Sequence, residues 1–89
     1  MARIRVPGVL RPLVDGQPIV EVDAVTLGDL RRSIGAAYPM LAARLFAADG
    51  GFQEFVNVFL GADDARQLDP ATPLGPTAEL LLLPAVSGG

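Results

Sequence analysis

The chain has 89 residues, 51% of them hydrophobic, and a formal net charge of −3. That is room for one domain with a modest core and little spare volume for a deep catalytic cavity. The acidic balance argues against a nucleic-acid partner, and the lack of cysteine and histidine removes disulfides, thiolate nucleophiles, the usual general base and the commonest metal ligand.

All seven basic residues are arginine. Without lysine there is no Schiff-base chemistry, and no isopeptide chain can be built on the protein's own side chains. No segment approaches the ~20 apolar residues of a membrane span. The start, Met1 to Pro7, lacks the apolar run of a signal peptide. A cytoplasmic protein without membrane contact is the expectation.

Ala2 to Val6 alternates, with Ile4 and Val6 on one face and Arg3 and Arg5 on the other, as in a half-buried strand. Pro7-Gly8 interrupts it, and Val9 to Val14 reads as an irregular continuation or bulge. Asp15-Gly16 is a turn signal leading to a second strand from about Pro18 to Val22. Thr26 is a good N-cap, and Asp29 three residues on resembles a capping box. Leu27, Leu30, Ile34 and Ala37 then form one apolar helical stripe. Tyr38-Pro39 should end that helix. Met40 to Phe46 suits a short second helix.

Phe52 to Leu60 is the strongest strand signal. Val56, Val58 and Leu60 fall on one face, Phe55, Asn57 and Phe59 on the other. Gly61 to Asp64 reads as a turn, Ala65 to Leu68 as a short edge strand, and Asp69 to Pro76 as a proline-rich connection. The last strand is the leucine run Leu80 to Leu83, and Pro84, with no N–H to donate, should stop its ladder. The order predicts an α+β fold, a mixed sheet of four or five strands packed on one main helix, with the first and last strands side by side in parallel. Residues 1–84 form the single domain. Residues 85–89, uncharged and ending in two glycines, form a flexible tail able to enter a narrow channel.

The side chains supply no catalytic constellation and no metal site. Asp63-Asp64 reads as solvated punctuation, Arg31-Arg32 as an exposed helix face, and the glycines match no phosphate loop. Phe55 and Phe59 admit two readings. If Val56 and Val58 face the helix, the two aromatics lie on the open side of the sheet with Leu81 and Leu83, as a partner-binding patch. If the strand is reversed, they are core.

The motifs Val6-Pro7-Gly8-Val9-Leu10-Arg11-Pro12, Thr26-Leu27-Gly28-Asp29-Leu30, Phe55-Val56-Asn57-Val58-Phe59-Leu60 and Leu83-Pro84-Ala85-Val86-Ser87-Gly88-Gly89 resemble those of the ubiquitin-like, β-grasp sulfur carriers. That family holds the ThiS- and MoaD-like carriers, and the likeness is greatest to the cysteine-biosynthesis carriers of the CysO type. Gly61 departs from that pattern, where a polar residue such as asparagine is expected; so does Ser87, where alanine is usual.

The resemblance implies a non-catalytic carrier. An ATP-dependent, E1-like adenylyltransferase and sulfurtransferase would adenylate the Gly89 carboxylate and convert it to a thiocarboxylate. Val86, Ser87 and Gly88 would thread into the partner. A sulfur-acceptor enzyme, resembling a cysteine synthase or a thiosugar or thiazole synthase, would take the sulfur. No cofactor would be bound by the carrier, which would be a monomer when free. Two alternatives share the tail: a small subunit of molybdopterin synthase, and a ubiquitin-like modifier conjugated to lysines through Gly89. A plain β-grasp interaction domain is the fourth reading.

Overall fold

Alternation in the sequence becomes a sheet with one dry face. In the computed structural model, which describes residues 1–84, β1 spans Ala2–Arg5 and β2 spans Ile19–Val22. They pair antiparallel, Ile4 opposite Val20 and Ala2 opposite Val22, and all four of these side chains are buried. The helical stripe forms a 3-10 turn, Leu27–Asp29, running into α1, Leu30–Ala37; α2 follows at Pro39–Leu45. Three strands complete the sheet: β3, Val56–Leu60; β4, Asp63–Asp64; and β5, Glu79–Pro84. The order across the sheet is β2-β1-β5-β3-β4. β5 is parallel to β1 and antiparallel to β3, so the mixed five-stranded β-grasp sheet has its last strand at the centre.

The core lies between the sheet and the helices. Ile4, Val20, Val58, Leu80 and Leu82 meet Leu30 and Ile34 of α1 and Leu41 and Leu45 of α2. Each such side chain contributes about 1.5–3 kcal/mol by leaving water. The start of the helix is held from both sides. Thr26 Oγ1 accepts the Asp29 N–H at 3.2 Å, and Asp29 Oδ2 accepts the Val25 N–H at 3.2 Å. The proline-rich connection supplies two more acceptors: Leu27 N–H donates to the Thr72 carbonyl and Gly28 N–H to that of Pro70. Those donors would otherwise be orphans of a helix start. Ala37, expected on the buried stripe, is exposed at its end.

Several local expectations are corrected. Residues Gly8–Val14 form a 3-10 helix, closed by Asp15 in the left-handed region (φ 57°). Asp63–Asp64, read as a turn, pairs with Phe59 and Leu60 as β4, while Ala65–Gln67, read as an edge strand, is a 3-10 turn. The cause is the Asp64 carboxylate, which accepts the Arg66 N–H at 2.9 Å and coils the chain immediately after the strand.

β3 begins at Val56 rather than Phe52. The Gln53 N–H donates to the Leu45 carbonyl at 2.8 Å and its Nε2 donates to the Phe46 carbonyl at 3.1 Å, which ties this segment to the end of α2. Pro84 is included in β5, opposite Val56. The expected tail, residues 85–89, lies outside the described residues.

Candidate partner-docking face

Burial along β5 decides which side of the sheet is free. Leu80 and Leu82 are 0% and 2% exposed, whereas Leu81 and Leu83 are 37% and 41% exposed. The period of two in a strand requires this split once one face is covered by helices. On β3, Val56 and Val58 are buried. Phe59 stands opposite Leu81 and Asn57 opposite Leu83. Phe59 is half-buried, outside the core cluster, and Phe55, just before the strand, is 50% exposed. The open-face reading is therefore the one the fold adopts for Phe59, which shares that face with Leu81 and Leu83; Phe55 is exposed in the turn that precedes the strand.

The register also fixes what surrounds this apolar centre. Across one row run Ile19, Arg5, Leu81, Phe59 and Asp64; across the next, Glu21, Arg3 and Glu79. Arg5 Nε donates to Glu79 Oε1, an exposed pair of the kind that contributes at most about 1 kcal/mol. At the other border, Arg66 Nη1 lies 3.4 Å from Asn57 Oδ1 and Nη2 donates to the Gln53 carbonyl. Arg3 and Arg5 on β1 thus stand beside Glu21 and Glu79, and Asp64 and Arg66 stand at the β4 border, with aromatic and aliphatic surface between. An apolar middle with a charged rim is the anatomy of a protein interface. The rim residues were visible in the sequence only as the polar half of an alternation; their neighbours across the sheet were not.

Among the described residues no group of three or more His, Cys, Asp or Glu side chains is placed to hold a metal ion, and no buried side-chain polar atom lacks a partner. The described helices include none long and apolar enough to cross a membrane. The perturbed ionisable groups sit at the helix start. Arg32 grips Asp29 with two bonds, Nε to Oδ1 at 2.7 Å and Nη2 to Oδ2 at 2.8 Å. With the Val25 N–H, they hold the Asp29 carboxyl down at about 2. Asp23 is lowered as well, by the Ser33 hydroxyl and then by Arg32. Both belong to the cap rather than to the open face. Gly89, Val86, Ser87 and Gly88, the expected sulfur-carrying and threading residues, lie outside the described residues.

The model of the ThiS family matches residues 4–89. The chain belongs to the ThiS family. Among its relatives, the sulfur carrier protein CysO of Mycobacterium tuberculosis is 32% identical over 89 residues, covering 97% of this chain and 96% of the relative. Small archaeal modifier protein 1 of Haloferax volcanii is 39% identical over 79 residues, covering 85% and 87%. The crystal structure of the mycobacterial CysO superposes with a TM-score of 0.84 at 29% identity, over 97% of this chain and all of that one. This ThiS-family chain therefore has the ubiquitin-like β-grasp fold of the sulfur carriers.

Proposed function

We propose that this protein is a sulfur carrier whose reacting group is the Gly89 carboxylate. The observation that carries the reading is that one strand serves both tasks. β5 supplies Leu81 and Leu83 to the open face, and the chain continues from Pro84 at its end into the five residues that finish in Gly88-Gly89. A partner seated on the open face receives the tail at a fixed place, and five extended residues reach about 17 Å.

The chemistry follows from the carboxylate's poor electrophilicity. In the activating enzyme a Gly89 carboxylate oxygen attacks the α-phosphorus of ATP and pyrophosphate leaves. A hydrosulfide then attacks the acyl carbon and AMP leaves, giving the thiocarboxylate. This group is ionised at neutral pH and is a soft nucleophile. Its sulfur attacks an electrophilic carbon held by the acceptor enzyme. Water then cleaves the acyl–sulfur bond, which leaves the sulfur on the product and returns the carboxylate. The carrier contributes no acid, base or cofactor; ATP belongs to the activating enzyme. A cysteine-forming acceptor is the first candidate, and a synthase for a sulfur-containing natural product the second.

The modifier reading is favoured by one specific observation, the 39% identity to an archaeal modifier protein. Intact-protein mass spectrometry after incubation with ATP, sulfide and a candidate activating enzyme separates the two. The carrier gains the mass difference of one sulfur for one oxygen on its C-terminal peptide, and a Gly89 deletion does not. Adducts on lysines of other proteins, with no such gain, would replace the carrier reading with the modifier one. Phe59→Ala is expected to weaken docking to the activating enzyme while the fold persists.

A further inference from the structure

Beside Arg66 lies a groove of about 430 Å³; among the described residues, none that lines it belongs to the open face. Its floor is apolar, built from Leu27, Phe46, Phe52, Leu68 and Pro70. The rings of Phe46 and Phe52 stack with centroids 5.3 Å apart. Two guanidiniums stand at its rim. Arg66 is held over the Phe52 ring, 6.0 Å from its centroid, while it bonds to the Gln53 carbonyl. Arg31 lies against Gly50, so close that a Cβ there would sit 3.3 Å from its Nη1. Among the described residues the ion pairs engage Arg5 and Arg32; neither Arg31 nor Arg66 has a carboxylate partner.

From this arrangement we infer that the groove binds an acidic, apolar segment of a partner polypeptide, with a leucine or phenylalanine on the stacked rings and a carboxylate on Arg31 or Arg66. Charge complementarity is the first argument: two unpaired cations converge on one concavity of a protein whose net charge is −3. The distribution of polar groups is the second. A small-molecule site fixes its ligand with polar groups set inside an enclosed pocket. Here both guanidiniums are exposed at the rim and the interior is apolar, as in a protein interface. Continuity is the third, because Arg66 also touches Asn57 on the open face. A partner docked there reaches the groove around the β4 edge. Arg66 is already oriented by its own bonds, so little side-chain freedom is lost on binding.

The test is a ¹H–¹⁵N NMR titration of the full chain with a panel of acetylated tetrapeptides in which Glu or Asp alternates with Leu or Phe. Saturable shifts are expected at the amides of Gly28, Arg31, Gly50, Gly51 and Phe52, weakening as salt is raised. Replacing the acids by Gln and Asn, or Arg31→Gln in the protein, should weaken binding about five- to tenfold. Arg31 makes no side-chain hydrogen bond among the described residues, so R31Q should fold normally, unlike a change at Arg66. The inference is overturned by equal binding of the neutral peptides, by saturation with N-acetylphenylalanine alone, or by the absence of saturable shifts up to about 10 mM of every peptide. A Gly89 deletion should bind the peptides unchanged, so failure of the carrier reading leaves this result distinguishable.

Discussion

Gly61 shows what a single position can demand. It follows β3 with φ +62°, and the place its Cβ would occupy is open. The left-handed region, not space, selects the residue, and asparagine tolerates that region better than other side chains. The departure from the CysO-type pattern at this site is thus a swap between the two residue types the backbone accepts. Gly61→Asn should stay within about 0.5 kcal/mol of the parent in urea denaturation, whereas Gly61→Val should lose about 1–2 kcal/mol. None of this was legible in the sequence, where Gly61 reads simply as turn material. The sign of φ is set by where β4 has to return beside β3.

Two elements show how the same sequence signals succeed and fail. In β5 the leucine run has no polar residue to mark a face, yet the structure divides it cleanly. Leu82→Ala should cost about 2–5 kcal/mol, since it leaves a cavity, and Leu83→Ala less than about 1 kcal/mol. Comparable losses from both in a denaturant titration would contradict the open face. The helix start was legible because its signals are local: Thr26 and Asp29 three residues apart do cap it. The bidentate bond from Arg32 adds a pH dependence. The Asp29 carboxyl is held at about 2, from 3.8, chiefly by Arg32 and then by the Val25 N–H. Its folded value lies below its unfolded one, so its contribution is full above about pH 4 and is lost as the pH falls towards 2. Asp29→Asn should lower stability at pH 7 and flatten the stability curve over that interval, with a residual slope from Asp23. An unchanged slope in acid-titrated thermal unfolding would remove Asp29 from the account. β4 failed for the opposite reason. Two aspartates make poor strand formers, and only their partners Phe59 and Leu60, with the coil that Asp64 induces after them, make them a strand.

At the scale of the molecule, sheet composition and the parallel meeting of first and last strands followed from element order, because a hairpin, a crossing helix and a returning strand leave few arrangements. The open face followed in part: the outward set of Phe59, Leu81 and Leu83 was one of two readings, and helix placement chose between them. The groove behind Arg66 was not legible at all. Its walls come from the helix start, the loop at residues 46–52, the turn after β4 and the proline-rich connection, and no spacing in one segment records that meeting.

The central position of β5 bears on synthesis. Until this strand has left the ribosome, nothing joins β1 to β3, and the sheet exists only as two separate pairs, β1 with β2 and β3 with the short β4. Pairings such as Ile4 with Leu80 span almost the whole chain, which makes them slow to form and late. The open face, with Leu81 and Leu83 at its centre, therefore comes into being only when the last strand is inserted. Under the function proposed above, an activating enzyme that recognised this face would pass over nascent, truncated and misfolded chains without any further check, and would spend ATP only on folded carriers.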